Sequence, residues 1–455
     1  MNKKKLAPLD AALQELRELT DRIFEDISSK EQPDLSKLFQ QGVGTHIFER
    51  QGYGSLIMFG ESGDQYSDCL INLHTAANAK VERISFSAVE SATQLAILTA
   101  LDSAKKQPTV EFPQRLETSL SELRKTLSEE PTYWSVHLEV AGLEQNGLPR
   151  TVGNTEFYVM NQDRLSSFQG HIATIVDTMR NTAAEKESAK KILSDEMFQG
   201  LLGKICAHVR VSANDKNAAD ALALKKLRQT IDVINFFASI VGTSGAQVYL
   251  PWEAKPHIAH LLTLADNLKH INWGSSWRGP AFPFSFSQIE GRRADGIGFS
   301  RASAILGKIS PNTIEDRLLS AMQWAGRASA VERKEEAFLL FTVALESLLL
   351  DNQEKQQLRY RFAVRGAHLL GGSLESKRDI STALKNVYDL RSAVVHSGST
   401  DITDSNRDTV RHFARRAIYR ILTTRPFLEM SSQVELEKWF EDQVLGPGSE
   451  TEPKS

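Results

Sequence analysis

The chain has 455 residues, a net charge of −3 and two cysteines, Cys69 and Cys206. A chain of this length is expected to form about two to four domains. Two cysteines are too few for a disulfide framework or a four-cysteine zinc site, and they indicate a reducing, cytoplasmic setting. No apolar stretch is long enough for a signal peptide or a membrane span, so we expect no membrane partner, and the small net charge leaves any nucleic-acid binding to a local patch.

The first predicted element is an amphipathic helix within residues 1–35, because apolar residues from Leu13 to Ile27 recur three or four positions apart. From residue 42 to about 160 the pattern changes to short β-rich runs separated by glycine, which indicates strands interrupted by helices. The predicted strands are 45–48, 55–59, 69–73, 83–87, 134–140 and 156–159.

The middle of the chain mixes both patterns. Residues 164–235 are predicted to be helical except for a strand at 207–211, and a further helix is predicted at 217–238. Two later segments, 246–250 and 282–286, have the composition of extended chain. We therefore expect a strand-rich, mixed α+β sensor or regulatory region over 36–305, and a division into two subdomains near 162–200 is left open.

The pattern shifts near Ser310, where Ser310 and Pro311 fit a helix cap and a first helical position. Apolar stripes then predict five helices with short links, which together make a helical bundle. The predicted fold class is α+β, a mixed N-terminal region followed by an all-α bundle. Its C-terminal parts are a bundle over 306–430, a short helix over 431–445 and a disordered tail over 446–455.

Arg391 and His396 lie five residues apart at the end of the fourth predicted helix. Histidine can take or give the proton of a ribose 2′-hydroxyl or of a leaving 5′-oxygen, and arginine offers a bidentate fork to phosphate oxygens. Five residues correspond to about 140° of rotation in a regular helix, so the side chains would not share a face. Joint action therefore needs a distorted helix end or a partner chain, and on residue types alone two surface groups remain the commoner interpretation.

Three segments of the predicted bundle resemble HEPN domains, in particular their Apea-like branch. They are ALESLL at 344–349, RFAVR at 361–365 and YDLRSAVVHSG at 388–398. The last contains the R-x4-6-H signature of the family in Arg391 and His396, and the resemblance covers only the last quarter or so of the chain. The region before it resembles no family that we recognise.

This resemblance implies a bundle that dimerises and brings two Arg-His motifs into one cleft. It implies a metal-independent endoribonuclease without a cofactor, whose products are a 2′,3′-cyclic phosphate and a 5′-hydroxyl. The RNA partner would be tRNA or mRNA, and the setting a toxin-like enzyme of antiphage defence or abortive infection. Ser392 departs from the family, which often has Asn, Asp or His after the arginine, and a serine cannot supply charge.

The N-terminal region is then expected to sense a trigger, such as a phage-derived protein or a ligand, or to restrain the nuclease. The alternative is a noncatalytic HEPN module for dimerisation or RNA binding, with the function in the N-terminal region. The presence of both Arg391 and His396 favours the enzyme, because degenerate members usually lose one of them.

Further residues of the bundle are assigned supporting roles. Glu346 falls on an apolar stripe, where an unpaired carboxylate is costly, and Arg361 and Arg365, one turn apart on the next helix, are its natural partners. We interpret them mainly as a structural pair, with a direct catalytic role as the alternative.

Arg407, Arg411 and Arg415 fall four apart on the fifth helix, and the resulting basic stripe is suited to an RNA backbone. A solvated face or a dimer contact explains the same stripe equally well.

Other constellations do not form sites. His257 and His260 have the wrong spacing for two zinc ligands on one helix face, and no third ligand is evident. Cys206 and His208 share one face of a predicted strand, but two residues do not make a metal site. The glycines between 42 and 63 lack the Gly-Lys-Ser/Thr ending of a phosphate-binding loop and are interpreted as turns.

Overall fold

The structure is a computed structural model, and by its contacts the chain divides into two units. The first comprises 1–136 with 210–224, and the second 137–209 with 225–455. The residues that the structure describes are 7–29, 46–50, 54–58, 61–79, 81–106, 111–178, 183, 187, 199–241, 246–252, 257–264, 271–278, 282–290, 292–351, 356–397 and 401–446.

Up to residue 136, the described part of the first unit contains four helices around one apolar core. Leu13, Leu16 and Leu19 of the first helix are buried in it, which confirms the predicted amphipathic helix. A short hairpin joins the first two helices. The elements are α1 (Pro8–Ser29), β1 (His46–Arg50), β2 (Gly54–Met58), α2 (Glu61–Ala77), α3 (Phe86–Lys106) and α4 (Phe112–Ser128).

The strand predicted at 69–73 is wrong, since these residues belong to α2. Tyr66, Leu70 and Leu73 are buried at helical spacing, whereas Ile71 is 53% exposed. The short apolar run resembles a strand when taken alone, but the longer window has the three-to-four spacing that a helix buries.

The strand predicted at 83–87 is also wrong, because this segment is a connection that leads into α3. The guanidinium of Arg83 donates to the carbonyls of Leu127 and Glu129 at 3.1 and 3.0 Å. It thereby satisfies carbonyl groups at the end of α4, which have no partner within the helix. The N-terminal region is consequently more helical than its composition predicts.

A four-stranded sheet lies mostly in the second unit, with strand order β3-β6-β5-β4. The strands predicted at 134–140, 156–159 and 207–211 are confirmed. Strands β5 and β6 pair antiparallel, so that Glu156 lies opposite His208. The elements are β3 (Thr132–Glu139), β4 (Arg150–Val152), β5 (Thr155–Val159), α5 (Gln162–Thr178) and β6 (Ile205–Ala213).

The chain between sheet and bundle combines helices with extended segments. Ala246 and Phe282 form a bridge, in agreement with the extended chain predicted around both, and the Asn235 side chain bonds both backbone groups of Val248. The helix predicted at 217–238 is confirmed. The elements are α6 (Lys216–Val241), β7 (His257–Leu264), β8 (Ile271–Arg278), α7 (Arg292–Gly296) and α8 (Phe299–Leu306).

Five helices and a short sixth follow, as predicted, although the first begins later than expected. Its N-cap is Asn312, which forms a capping box with Glu315, and not Ser310. The Asn312 side chain accepts from the backbone N–H of Glu315, and the Glu315 side chain accepts from the backbone N–H of Asn312, both at 3.0 Å. The helices are α9 (Thr313–Ala330), α10 (Lys334–Leu349), α11 (Leu358–Leu370), α12 (Leu374–Ser397), α13 (Asp404–Thr423) and α14 (Gln433–Leu445).

Helix α14 is joined to the bundle by a half-buried carboxylate between two arginines. Glu437 lies 2.5 Å from Nη2 of Arg365 on α11 and 3.9 Å from Nη1 of Arg317 on α9. The Arg365 guanidinium also lies over the ring of Phe440, 5.4 Å from its centroid. Such an arrangement is stable only while all its charges remain together.

The structure combines helices with an antiparallel sheet and is therefore α+β, as predicted. The contact units do not divide at residue 306, and the predicted domain limits stay a prediction. The tail predicted over 446–455 lies outside the described residues from 447 onward. Among the described helices, none has the length and apolar character needed to span a membrane.

Candidate active site

Arg391 and His396 lie in the last turns of α12, which continues as one helix from Leu374 to Ser397. The helix end is therefore not distorted at these residues, and the rotation of about 140° between them applies. His396 is exposed, and the Arg391 side chain is 29% exposed. Of the two routes to joint action considered from the sequence, only contact with a second chain remains.

Arg391 is paired with Glu346 of α10. Its Nε lies 3.2 Å from Oε1 of Glu346, whose side chain is 18% exposed. Burial raises the pKa of the Glu346 carboxyl, and the charge of Arg391 opposes that rise. The pKa of the neighbouring Tyr388 hydroxyl is also raised, by its burial first and by Glu346 second. The pair holds the arginine against the bundle.

In the structure Glu346 thus pairs with a residue other than the two that were predicted. Arg365, predicted to pair with it, instead bonds Glu437 and the carbonyl of Leu349, the latter at 2.8 Å. Arg361 lines a cleft between α11 and α14 together with Phe440. Helical spacing shows that two arginines lie one turn apart, but it does not show which helix their face contacts.

Ser392 is half-buried and follows Arg391 on the same helix, about 100° around the axis. A serine hydroxyl can donate or accept one hydrogen bond, but it cannot stabilise a phosphate by charge. Its assisting role stays a prediction.

The basic stripe of Arg407, Arg411 and Arg415 is largely occupied by contacts within the protein. Asp408 lies 3.1 Å from both Arg407 and Arg411, and Asp404 lies 3.0 Å from Arg407. Burial lowers the pKa of Arg415 to about 10, and the charge of Arg411 adds to this effect. The stripe therefore offers RNA less free charge than its sequence indicates, and its RNA contact stays a prediction.

A second cluster of polar side chains, the histidine cluster, lies on the sheet and was not predicted from the sequence. It consists of His137, Glu156, Tyr158, Arg164 and His208. The rings of His137 and His208 stack with centroids 4.5 Å apart, and Nδ1 of His137 lies 2.9 Å from the Tyr158 hydroxyl. Arg164 donates to Glu156 at 2.8 Å.

The environment of the histidine cluster keeps the His137 imidazole neutral. Burial, followed by the charge of His208, lowers the pKa of His137 to about 4. Arg164 holds the pKa of the Glu156 carboxyl below its usual range. The alternation of residues 156 and 158, and of 206 and 208, indicates shared faces of strands, but it does not show that His137 stacks on His208.

No family model, curated protein or solved structure matches this chain.

Proposed function

We propose that this protein is a metal-independent endoribonuclease whose bundle over 306–430 is of the HEPN type. The observation that carries the proposal is the placement of His396 and Arg391 in the last turns of α12, with His396 exposed and Arg391 held by Glu346 at 3.2 Å. The three sequence motifs that resemble HEPN domains supply Glu346, Arg361 with Arg365, and Arg391 with His396.

In the proposed reaction the ribose 2′-oxygen attacks phosphorus, its proton passes to a histidine, and the bond from phosphorus to the 5′-oxygen breaks. A protonated histidine gives a proton to that 5′-oxygen. Arg391 binds the phosphate oxygens on which negative charge accumulates. The products are a 2′,3′-cyclic phosphate and a 5′-hydroxyl, and no cofactor takes part.

Because α12 is regular at its end, the two side chains of one copy point about 140° apart. The proposal therefore includes a homodimer in which a two-fold axis brings two helix ends together, so that Arg391 of one copy acts with His396 of the other. Glu346 would then keep Arg391 in position while its terminal amino groups face the phosphate.

The biological setting that we propose is a toxin-like enzyme of the cytoplasm, active in antiphage defence or abortive infection on tRNA or mRNA. The N-terminal region would respond to a phage-derived or ligand trigger. The second candidate function is a noncatalytic module for dimerisation or RNA binding. It is favoured by the separation of Arg391 and His396, which lie about 140° apart around one regular helix.

The purified protein is incubated with tRNA and with mRNA in EDTA, beside His396→Ala and Arg391→Ala. His412→Ala and Arg333→Ala are matched controls, because both replace exposed residues of the bundle. We expect cleavage by wild type and controls and a loss of about 100-fold or more in each site variant, as removal of an acid-base group predicts. Equal cleavage by wild type and the two site variants contradicts the nuclease, and circular dichroism checks folding.

A further inference from the structure

A second basic surface lies on the later half of α13, beyond the stripe predicted from the sequence. It is a cleft of about 350 Å³. We call it the distal cleft, and its lining residues are Leu370, Arg416, Tyr419, Arg420, Thr424 and Arg425.

None of the residues that line the distal cleft is acidic. Arg416 donates one N–H to the carbonyl of Leu370 at 2.9 Å, and this bond leaves its positive charge unpaired by a carboxylate in the described chain. Arg420 likewise has no carboxylate partner among the residues that the structure describes. Arg425 pairs with Glu429 at 3.0 Å, but both side chains are strongly exposed, so that pair is weak. The cleft is therefore suited to an anion.

Tyr419 provides an aromatic surface beside these arginines. Its ring is 44% exposed, and its hydroxyl donates to the carbonyl of Gly296 at 3.3 Å, which holds the ring in place. An exposed aromatic ring next to arginines is the combination that binds single-stranded nucleic acids, since a base stacks on the ring while guanidinium groups bind the backbone.

The end of α13 on which the cleft is built is held firmly. Arg301 of α8 donates to the carbonyls of Ile421 and Leu422 at 3.0 and 2.9 Å, and to that of Phe427 at 3.4 Å. The carbonyls of Ile421 and Leu422 lie in the last turn of α13 and have no partner within the helix, and Phe427 follows the helix end. A site that is already ordered loses less conformational freedom when it binds a ligand.

The distal cleft lies at the opposite end of the bundle from His396. Arg359 at the start of α11 pairs with Asp389 near the end of α12 at 2.6 Å, so these helices are antiparallel. The end of α11 at Leu370, which Arg416 contacts, therefore lies near the start of α12 at Leu374. From Leu374 to His396 the helix rises about 33 Å.

We propose that the distal cleft binds the phosphodiester backbone and one unpaired base of the same RNA strand that is cleaved at Arg391 and His396. This inference rests on the proposed function and adds a second contact to it. A strand that reaches both sites has to span about 33 Å, which corresponds to about ten stacked nucleotides at 3.4 Å each. Short RNAs reach only one of the two sites.

The test measures RNA binding in a His396→Ala background in EDTA, so that the RNA stays intact. Labelled single-stranded RNAs of about 5 and about 20 nucleotides are compared for the starting protein, Arg420→Glu and Tyr419→Ala. The control is Arg333→Glu, which makes the same charge change at an exposed residue outside the cleft. Thermal unfolding of each variant checks that it is folded.

We expect Arg420→Glu and Tyr419→Ala each to weaken binding of the long RNA about tenfold or more. Binding of the short RNA should be weakened less, because a short RNA still binds at the site of Arg391 and His396. Arg420→Ala should reduce the slope of log affinity against log salt by about 1. Equal affinities of the cleft variants and the control for the long RNA overturn the inference. So does an equal loss for both lengths, or displacement of the long RNA by micromolar AMP, which would make a free nucleotide the ligand.

The result also separates this inference from the proposed function. If wild type cleaves RNA while the cleft variants bind it normally, only the inference fails. If the cleft variants lose binding but wild type does not cleave, the nuclease fails and the RNA-binding cleft stands. If wild type neither binds nor cleaves RNA, both fail.

Discussion

The end of α12 places a carboxylate beside a guanidinium, whereas the histidine cluster stacks two imidazoles on each other. At the end of α12, Oε1 of Glu346 lies 3.2 Å from Nε of Arg391, and both side chains are partly exposed. On the sheet, His137 and His208 stack at 4.5 Å, and His137 is kept neutral by a pKa of about 4. A phosphate-binding site needs an accessible positive charge. A half-buried histidine on a sheet instead lowers the stability of the fold when it becomes protonated.

The largest effect expected concerns the charged arrangement that joins α14 to the bundle. Glu437→Ala leaves the guanidinium groups of Arg317 and Arg365 facing each other without the carboxylate between them. We expect the free energy of unfolding to fall by about 3 kcal/mol, because removal of one partner from a buried ion pair leaves an uncompensated charge. Urea denaturation measures this change.

The matched control is Glu441→Ala, which removes an exposed glutamate of the same helix and should change stability by no more than about 0.5 kcal/mol. If both substitutions change the free energy of unfolding by the same small amount, the ion pairs of Glu437 contribute no more to stability than an exposed charge does.

A smaller effect is expected when the histidine cluster is made to take up a proton. The pKa of His137 is lowered from 6.5 to about 4, so the unfolded chain binds this proton more tightly than the folded chain does. The stability that this group contributes is therefore present above pH 6.5 and is lost as the pH falls from 6.5 towards 4. Between pH 7 and pH 5 the loss is about 2 kcal/mol.

This prediction is checked by urea denaturation at both pH values, with His137→Gln as the comparison. The variant should lose less stability than wild type between pH 7 and pH 5, because glutamine does not titrate there. Parallel losses in the two proteins would contradict the assignment to His137 and shift it to other groups, Glu156 first among them.

The smallest effect on stability is expected for the ion pair of Glu346 and Arg391. Because the pKa of Glu346 is raised, its ionised form costs stability at neutral pH, and Glu346→Gln should leave the free energy of unfolding unchanged or increase it. RNA cleavage should fall about tenfold, equivalent to about 1.4 kcal/mol, because Arg391 loses the charge that orients it.

Cleavage rates and urea denaturation are measured on the same preparation, and Glu346→Asp serves as the second variant. A shorter carboxylate should restore part of the activity if orientation is the role of Glu346. Unchanged cleavage by Glu346→Gln would mean that Arg391 does not depend on its partner.

Much of the bundle could be predicted because its information is local. The apolar stripes of α9 to α13 repeat over several turns, and Gly371 ends α11, as a glycine after the last apolar residue of a helix commonly does. Short windows were less informative. Residues 69–73 resemble a strand, and only the longer pattern from Tyr66 onward reveals the helix. Ser310 is as good a cap as Asn312 by type, but only Asn312 has Glu315 at the required distance along the chain.

By itself, the sequence determined the positions of Arg391 and His396 on one helix, their spacing of five residues and the succession of helices around them. Only the tertiary structure decided that Glu346 pairs with Arg391, that Arg365 belongs to Glu437, and that His137 stacks on His208. The reason is that periodicity specifies which residues share a face of a helix or strand. Which faces meet depends on how elements far apart in the chain pack together.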